Sequence, residues 1–524
     1  MRNPMAVLPT RKIDLLPKLY LPLLLLLGAS CAWRPLSGGD DFWAHAAVGR
    51  WIWQHQQVPH QTLFLWGAAP IPWIAHSWLT QLTFYGLMAS GGDRYGPYVA
   101  VGFSVLMALL PVALLWRLWT RRASVAVLAP CVFALAIWCA APRFHPRPEV
   151  FSAFFLTCLL LLLLRWSEDF DENPLHLRAR RQRDAALLIG LFILWANFHG
   201  AVAVGLVILL ATVLCELLQD RGSRRARLLA LTAVLCVAAI IINPYGLSYW
   251  QALKPVQGRM FPYIDEWKPV WKSPTTELSW LAAGEAVLAL IALLLWRANP
   301  QRRWAHLAWL LIMIGFFLSA RRHLWLLALV SLTVAAINGR SLDSQRLWQA
   351  WRRRTQGVAA QVEIPNGMRV IARVGILVLL MVCIAVVTPA DFWPLRATSR
   401  YLPSQMTNHI KKHRPMARLF NDYENSSYLQ WRCAGQPPLF IDLLNAYPDA
   451  LLVDDYFDII KANARGRRLL GARKIERVAL RRHQSDESLA KLAKFLDRNK
   501  NWKHTYKGSD GTVWELKKQQ KKHQ

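Results

Sequence analysis

Of 524 residues, 54% are hydrophobic, and 63 Lys and Arg against 32 Asp and Glu give a net charge of +31. The apolar residues gather into blocks long enough to cross a hydrocarbon core of about 30 Å as helices, which excludes a soluble fold for most of the chain. The basic runs lie between those blocks and no basic stripe with interleaved aromatics forms a domain of its own, so nucleic acid is set aside as a partner in favour of membrane phospholipid.

The first block, Leu19 to Trp33, follows Arg11, Lys12 and Lys18, which places the N-terminus on the cytoplasmic side and the next loop, residues 35–97, outside. Cys31 follows a stretch similar to a lipoprotein cleavage site, but Gly28 stands where a branched apolar residue is expected, and the segment reads as a retained helix. The loop opens on Asp40-Asp41-Phe42-Trp43-Ala44-His45. Asp41 to His55 spaces aromatic and small residues as an amphipathic helix with Trp rings at headgroup depth. Pro70-Ile71-Pro72-Trp73 breaks the chain. His76 to Ser90, short and interrupted by Gln81, reads as a second surface helix, because a crossing there would put Arg117, Arg121 and Arg122 outside.

Membrane helices are expected near 17–34, 97–117, 123–141, 149–166, 185–199, 201–219, 228–243, 279–297, 304–320, 322–338 and 369–389. These eleven crossings leave every basic run inside. The outer segments then hold Arg143 to Glu149, Asn197-Phe198-His199-Gly200, Asn243 through Leu278, and Ser319 to His323. Residues 1–390 form the membrane domain and 391–524 an extracytoplasmic domain. There, strand-like runs at Ala417–Phe420, Leu439–Ile441 and Glu476–Leu480 alternate with helical patterns and end in a hairpin around Gly508-Ser509-Asp510-Gly511. The fold class is an α-helical polytopic membrane protein with a small C-terminal α/β domain.

Ionisable residues at a membrane boundary are costly to desolvate and mark candidate sites. Asp40 suits an N-cap for the helix starting near Phe42, which leaves Asp41 for chemistry: a carboxylate that takes a proton from an attacking hydroxyl or amine. Arg143, Arg147, Arg321 and Arg322 carry guanidinium groups that match phosphate oxygens in pairs, and lipid headgroups would be held by the same chemistry. His45, His76, His145, His199 and His323 map to the outer side without metal-ligand spacing, so no metal site is assigned. Glu216 and Glu285 are read as lying near helix ends, which weighs against ion-coupled transport.

The order of these features, Asp41-Phe42-Trp43-Ala44-His45-Ala46-Ala47-Val48-Gly49-Arg50, Trp73 to Leu79, Arg143 to Val150, Trp195 to Gly200 and Asn243 to Gly246, resembles the GT-C membrane glycosyltransferases. Protein mannosyltransferases and lipid A aminoarabinose transferases are among them, and this chain resembles a bacterial branch with a C-terminal soluble domain. Ala44, where an aromatic is common, and Ser426-Ser427-Tyr428-Leu429, where a glycine is expected, depart from that pattern. The resemblance implies a polyprenyl-phosphate sugar as donor, transfer on the outer face of a bacterial inner membrane, Asp41 as the first-loop aspartate and Glu149 near a second acidic position. Asp40, His45, His76, His199 and His323 are assigned a supporting or acceptor-side place at the same outer boundary. No cofactor is assigned, and a divalent metal stays open. Two other readings stay open at this point: a non-catalytic scaffold whose C-terminal domain docks an envelope-assembly partner, and a transporter of a lipid-linked glycan.

Overall fold

A computed structural model describes residues 16–122, 129–167, 174–253, 264–272, 276–339, 366–388, 395–413, 416–444, 450–482 and 487–517. Helices form at each apolar block: α1 (Tyr20–Ala32), α2 (Asp41–His55), α3 (Trp78–Arg122), α4 (Ala129–Ala140), α5 (Glu149–Ser167), α6 (Pro174–Phe198), α7 (Val202–Gln219) and α8 (Arg224–Ala239). A one-turn helix, α9 (Tyr249–Ala252), precedes α10 (Thr276–Ala298), α11 (Trp304–Ser319), α12 (Leu324–Asn338) and α13 (Asn366–Val387). Among the described residues, five stretches are long and apolar enough to cross a membrane: Trp78–Thr120, Glu149–Ser167, Val202–Gln219, Ser279–Ala298 and Gly367–Val387. Helix α12, with every residue buried, forms the centre of the bundle, packed against α4, α5, α10 and α11.

In the helical portion three expectations change. The helix expected to end at Ser90 does not stop: α3 begins at Trp78 and continues to Arg122 through one break at Gly92, whose φ of +59° lies in the region glycine enters freely. Within α2, Trp43 does not face outward as expected, whereas Trp53 does, at 59% exposed. Trp43 is 2% exposed, because α2 is covered by α3 on one side and by a C-terminal helix on the other. Glu285 is not near an end; it lies inside α10, fully buried.

The end of the bundle away from the first loop is closed by ion pairs. Glu216 at the end of α7 accepts from Arg225 (2.5 Å) and Arg303 (2.9 Å), and buried Asp184 pairs with Arg165 at 2.8 Å. Part of the basic excess is thus spent on joining helices.

After residue 395 the chain forms α14 (Ser404–Lys412), β1 (Leu419–Asn421), α15 (Ser426–Cys433), α16 (Phe457–Ile460), α17 (Ala464–Ala472), β2 (Arg477–Arg481), α18 (Glu487–Arg498), β3 (Trp502–Lys507) and β4 (Gly511–Leu516). The sheet order is β1-β2-β4-β3, with β1 parallel to β2 and the other pairs antiparallel. It packs Phe420, Val478, Leu492 and Trp514 into a core of its own. The expected strand at Leu439–Ile441 joins no sheet; Leu439 instead pairs with the first loop, its N–H donating to Phe64 O at 2.7 Å. Trp66 of that loop donates from Nε1 to Leu419 O (2.8 Å), so the first loop and the α/β portion are interlocked.

Candidate functional site

The N-terminus of α2, the turn between α4 and α5, residues 264–272 and the turn between α11 and α12 meet at the end of the bundle that the α/β portion covers. Asp41 is the first residue of α2. Its Oδ2 is 3.3 Å from Arg147 Nε, and Arg147 Nη1 donates to Glu266 Oε2 at 2.6 Å. Arg143 donates from Nη1 to the same Glu266 oxygen (2.8 Å) and from Nε to Glu149 Oε2 (2.9 Å). Arg322 lies 4.3 Å over the ring of Trp267, the neighbour of Glu266. Asp41, Arg147 and Glu266 keep 31%, 25% and 26% of their side-chain surface, so a substrate can reach them, while Glu149 is buried behind Arg143.

Electrostatics separate the carboxylates. Burial raises the Asp41 carboxyl above its ordinary value against the pull of Arg147, which makes it the more basic group. Burial also acts to raise Glu266, but Arg143, Arg147 and Arg322 together outweigh it and hold its carboxyl well below the ordinary range. Arg322 is shifted the other way: desolvation lowers it, and among the described residues it has no carboxylate at ion-pair distance.

Asp40 occupies the N-cap position without capping; its Oδ2 turns back to accept from Ser37 N at 2.5 Å, and its Oδ1 is 3.8 Å from His145 Nδ1. His45, His76 and His199 gather behind Asp41. Gln81 Nε2 donates to His45 Nδ1 (3.3 Å), His199 Nδ1 shares a hydrogen bond with Ser152 Oγ (2.7 Å), and the His76 and His199 rings are 6.3 Å apart. Desolvation pushes His45 down to about 3 and His76 to about 4, and lowers His199 as well, so these imidazoles are neutral. His323 packs on Phe316 and Arg321 meets Lys268 through its backbone N–H (3.3 Å), at the margin of the cluster. Among the described residues, no group of three metal-ligating side chains converges. Asp41, Glu149 and Glu266 are each engaged by an arginine, and Asp40 faces His145.

Glu266 and Trp267 were not singled out by the sequence. The signal was there: in a chain so short of acid, Asp265-Glu266 in a long outer segment beside a Trp stands apart. The motifs around Asn197 and Tyr245 turn out to brace the loop. Trp78 Nε1 donates to Asn197 Oδ1 (2.7 Å), while Tyr245 Oη donates to Pro59 O (2.8 Å) and accepts from Ala75 N (3.1 Å).

No family model and no curated protein matches the chain. Solved structures do. The archaeal oligosaccharyltransferase AglB from Archaeoglobus fulgidus, in complex with an inhibitory peptide and a dolichol-phosphate, matches with a TM-score of 0.64 at 12% identity, over 89% of this chain and 70% of that one. An oligosaccharyltransferase of the same organism, tethered to an acceptor peptide containing the NVT sequon, matches with a TM-score of 0.58 at 14% identity over 90% and 69%. ArnT from Cupriavidus metallidurans in the apo state matches with a TM-score of 0.52 at 16% identity, over 95% and 97%. At these identities the likeness is one of fold: this chain has the GT-C fold of membrane glycosyltransferases.

Proposed function

We propose that the chain is an integral membrane glycosyltransferase that moves a sugar from a polyprenyl-phosphate donor to a lipid, glycan or protein acceptor. The observation that carries this reading is Asp41 at the head of α2, raised in basicity and reachable, facing Arg147, Glu266 and Arg322 within the GT-C fold. The dolichol-phosphate bound by AglB supports a donor of the same chemical class.

In this mechanism Asp41 takes the proton of the acceptor hydroxyl or amine as that atom bonds to the anomeric carbon from the face opposite the phosphate. The bond from carbon to phosphate oxygen breaks, its electron pair leaves with polyprenyl phosphate, and the anomeric configuration inverts. Arg322, whose charge is desolvated and not taken up by a carboxylate among the described residues, receives that phosphate. Arg143 and Arg147 are held by Glu149, Glu266 and Asp41 and act by fixing the carboxylates. Glu149 is thereby the anchor of Arg143 and not a second base. The neutral His45, His76 and His199 offer hydrogen bonds to sugar hydroxyls without competing for the proton.

The proposed topology has eleven crossings, the N-terminus inside, and the site with residues 391–524 on the outer face of a bacterial inner membrane. The test is purified Asp41→Asn, assayed with a panel of radiolabelled polyprenyl-phosphate hexoses and pentoses. Transfer at the wild-type rate, or none by either protein, would remove the assignment.

A further inference from the structure

The C-terminal α/β portion reaches the site through one turn. Gly38 and Gly39, just before Asp40 and Asp41, lie directly against residues 424–427. Ser427, fully buried, donates from Oγ to Gly38 O at 2.8 Å. A Cβ on Gly38 would lie 2.7 Å from Asn425 Oδ1 and 3.0 Å from Pro403 Cδ, and one on Gly39 would lie 3.1 Å from Glu424 O. A side chain on either glycine would make this seam give way.

The seam is anchored on both sides. Buried Asp422 accepts from Asn425 N (3.1 Å) and Asn425 Nδ2 (3.2 Å), and also from Arg481 N of β2 (3.0 Å), so the turn that meets Gly38 is tied to the sheet. On the other side, Trp43 Nε1 donates to Ser37 O (2.8 Å), and its ring packs 5.1 Å from Tyr428 and 6.4 Å from Trp431 of α15. Further along α2, Arg50 donates to Trp431 O (2.5 Å) and lies 4.5 Å over its ring. Helix α2 is gripped at its first turn and again near its middle, and Asp41 is the residue at the gripped end.

We infer that the C-terminal portion sets the position of Asp41, with Ser427 as a positioning residue that acts through Gly38. It rests on the reading of Asp41 as the reacting carboxylate. No single contact here is strong, but a base must be held within a fraction of an ångström of its productive place, and the set over-determines the turn. This portion is then a working part of the site and not only a surface for an assembly partner. The departure of Ser426-Ser427-Tyr428-Leu429 from the expected glycine has a physical use: a side-chain hydroxyl stands where it can hold the loop carbonyl.

The experiment uses the full chain in lipid nanodiscs and reads two quantities, amide hydrogen exchange over residues 37–44 and sugar transfer from the donor that the wild type uses. Ser427→Ala should speed exchange in that segment and lower kcat about tenfold or more, with donor KM within about twofold because Arg322 is untouched. Ser427→Thr, which keeps the hydroxyl, should restore both. Gly38→Ala, which deletes no hydrogen bond but crowds the seam against Asn425 and Pro403, should reproduce the loss. Unchanged exchange over 37–44 in both Ser427→Ala and Gly38→Ala overturns the clamp whatever the activity. A kcat within about twofold of wild type in Ser427→Ala, with Asp41→Asn inactive, overturns the positioning role while leaving Asp41 in place. Asp41→Asn with full activity is the separate result that removes the reading of Asp41 instead.

Discussion

Arg147 Nε lies 3.3 Å from Asp41 Oδ2, and the same guanidinium reaches Glu266 Oε2 from Nη1 at 2.6 Å. One fork therefore holds together two carboxylates that would otherwise repel, one from the first loop and one from the segment before α10. Arg147→Ala should cost about 1–3 kcal/mol of stability, below the range for fully buried pairs because these groups remain partly exposed. Transfer should fall about 100-fold as Asp41 loses its orientation. Arg147→Lys keeps the charge without the fork and should recover stability better than rate. Thermal melting of the purified protein and the transfer assay together check this; unchanged values in Arg147→Ala would dismiss the bridge.

Arg322 is the cation proposed to receive the phosphate. Arg322→Ala should raise donor KM about 10- to 100-fold and leave acceptor KM close to wild type. Arg322→Lys should sit between, since it retains charge and loses both the paired geometry and the stacking on Trp267. Equal effects on both KM values would show a general structural loss instead.

Acid should weaken the fold before it titrates any ordinary carboxylate. His45, His145 and His323 are pushed down to about 3 and His76 to about 4 by desolvation, while in the unfolded chain each takes its proton near 6.5. Below 6.5 the unfolded state thus binds more protons than the folded state. Stability from these groups is complete above 6.5 and is lost as pH falls toward 4. The limiting slope is about 1.4 kcal/mol per pH unit for each histidine. Melting temperature measured from pH 8 to 5 should be flat and then fall below 6.5; His76→Gln should flatten the descent. A melting temperature constant to pH 5 would contradict the neutral, buried imidazoles.

Gly49 lies where α2 crosses α3, and a Cβ there would press into the Gln81 carbonyl oxygen, a backbone atom with no freedom to yield. Gly49→Ala should push the helices apart, displace α2 and fail to give folded protein on size exclusion, or melt far below wild type. Gly86→Ala on α3 meets nothing within 4 Å and should be neutral or stabilising by about 0.5–1 kcal/mol through helix propensity. Similar behaviour of the two variants would show that the α2–α3 approach is not close.

The apolar blocks, the first loop with its acidic pair, the arginine turn before α5 and the closing hairpin were all legible in the sequence, because each depends on local composition or on a short motif. The sequence by itself determined that this is a membrane bundle with a small α/β portion, and it ranked Asp41 above Asp40 for chemistry. Helix α2 runs from Asp41 to His55 as its spacing requires. Tertiary structure decided the rest. Glu266 joins the site across more than 200 residues of chain, Glu149 is taken up by Arg143, and Trp43 is buried under Tyr428 and not in lipid. The reason is physical: charge pairing and burial depend on distance in space, and a sequence reports only distance along the chain. Asp41 could be read from its neighbours, whereas what holds it, Arg147 on one side and Ser427 behind Gly38 on the other, exists only once the chain has folded.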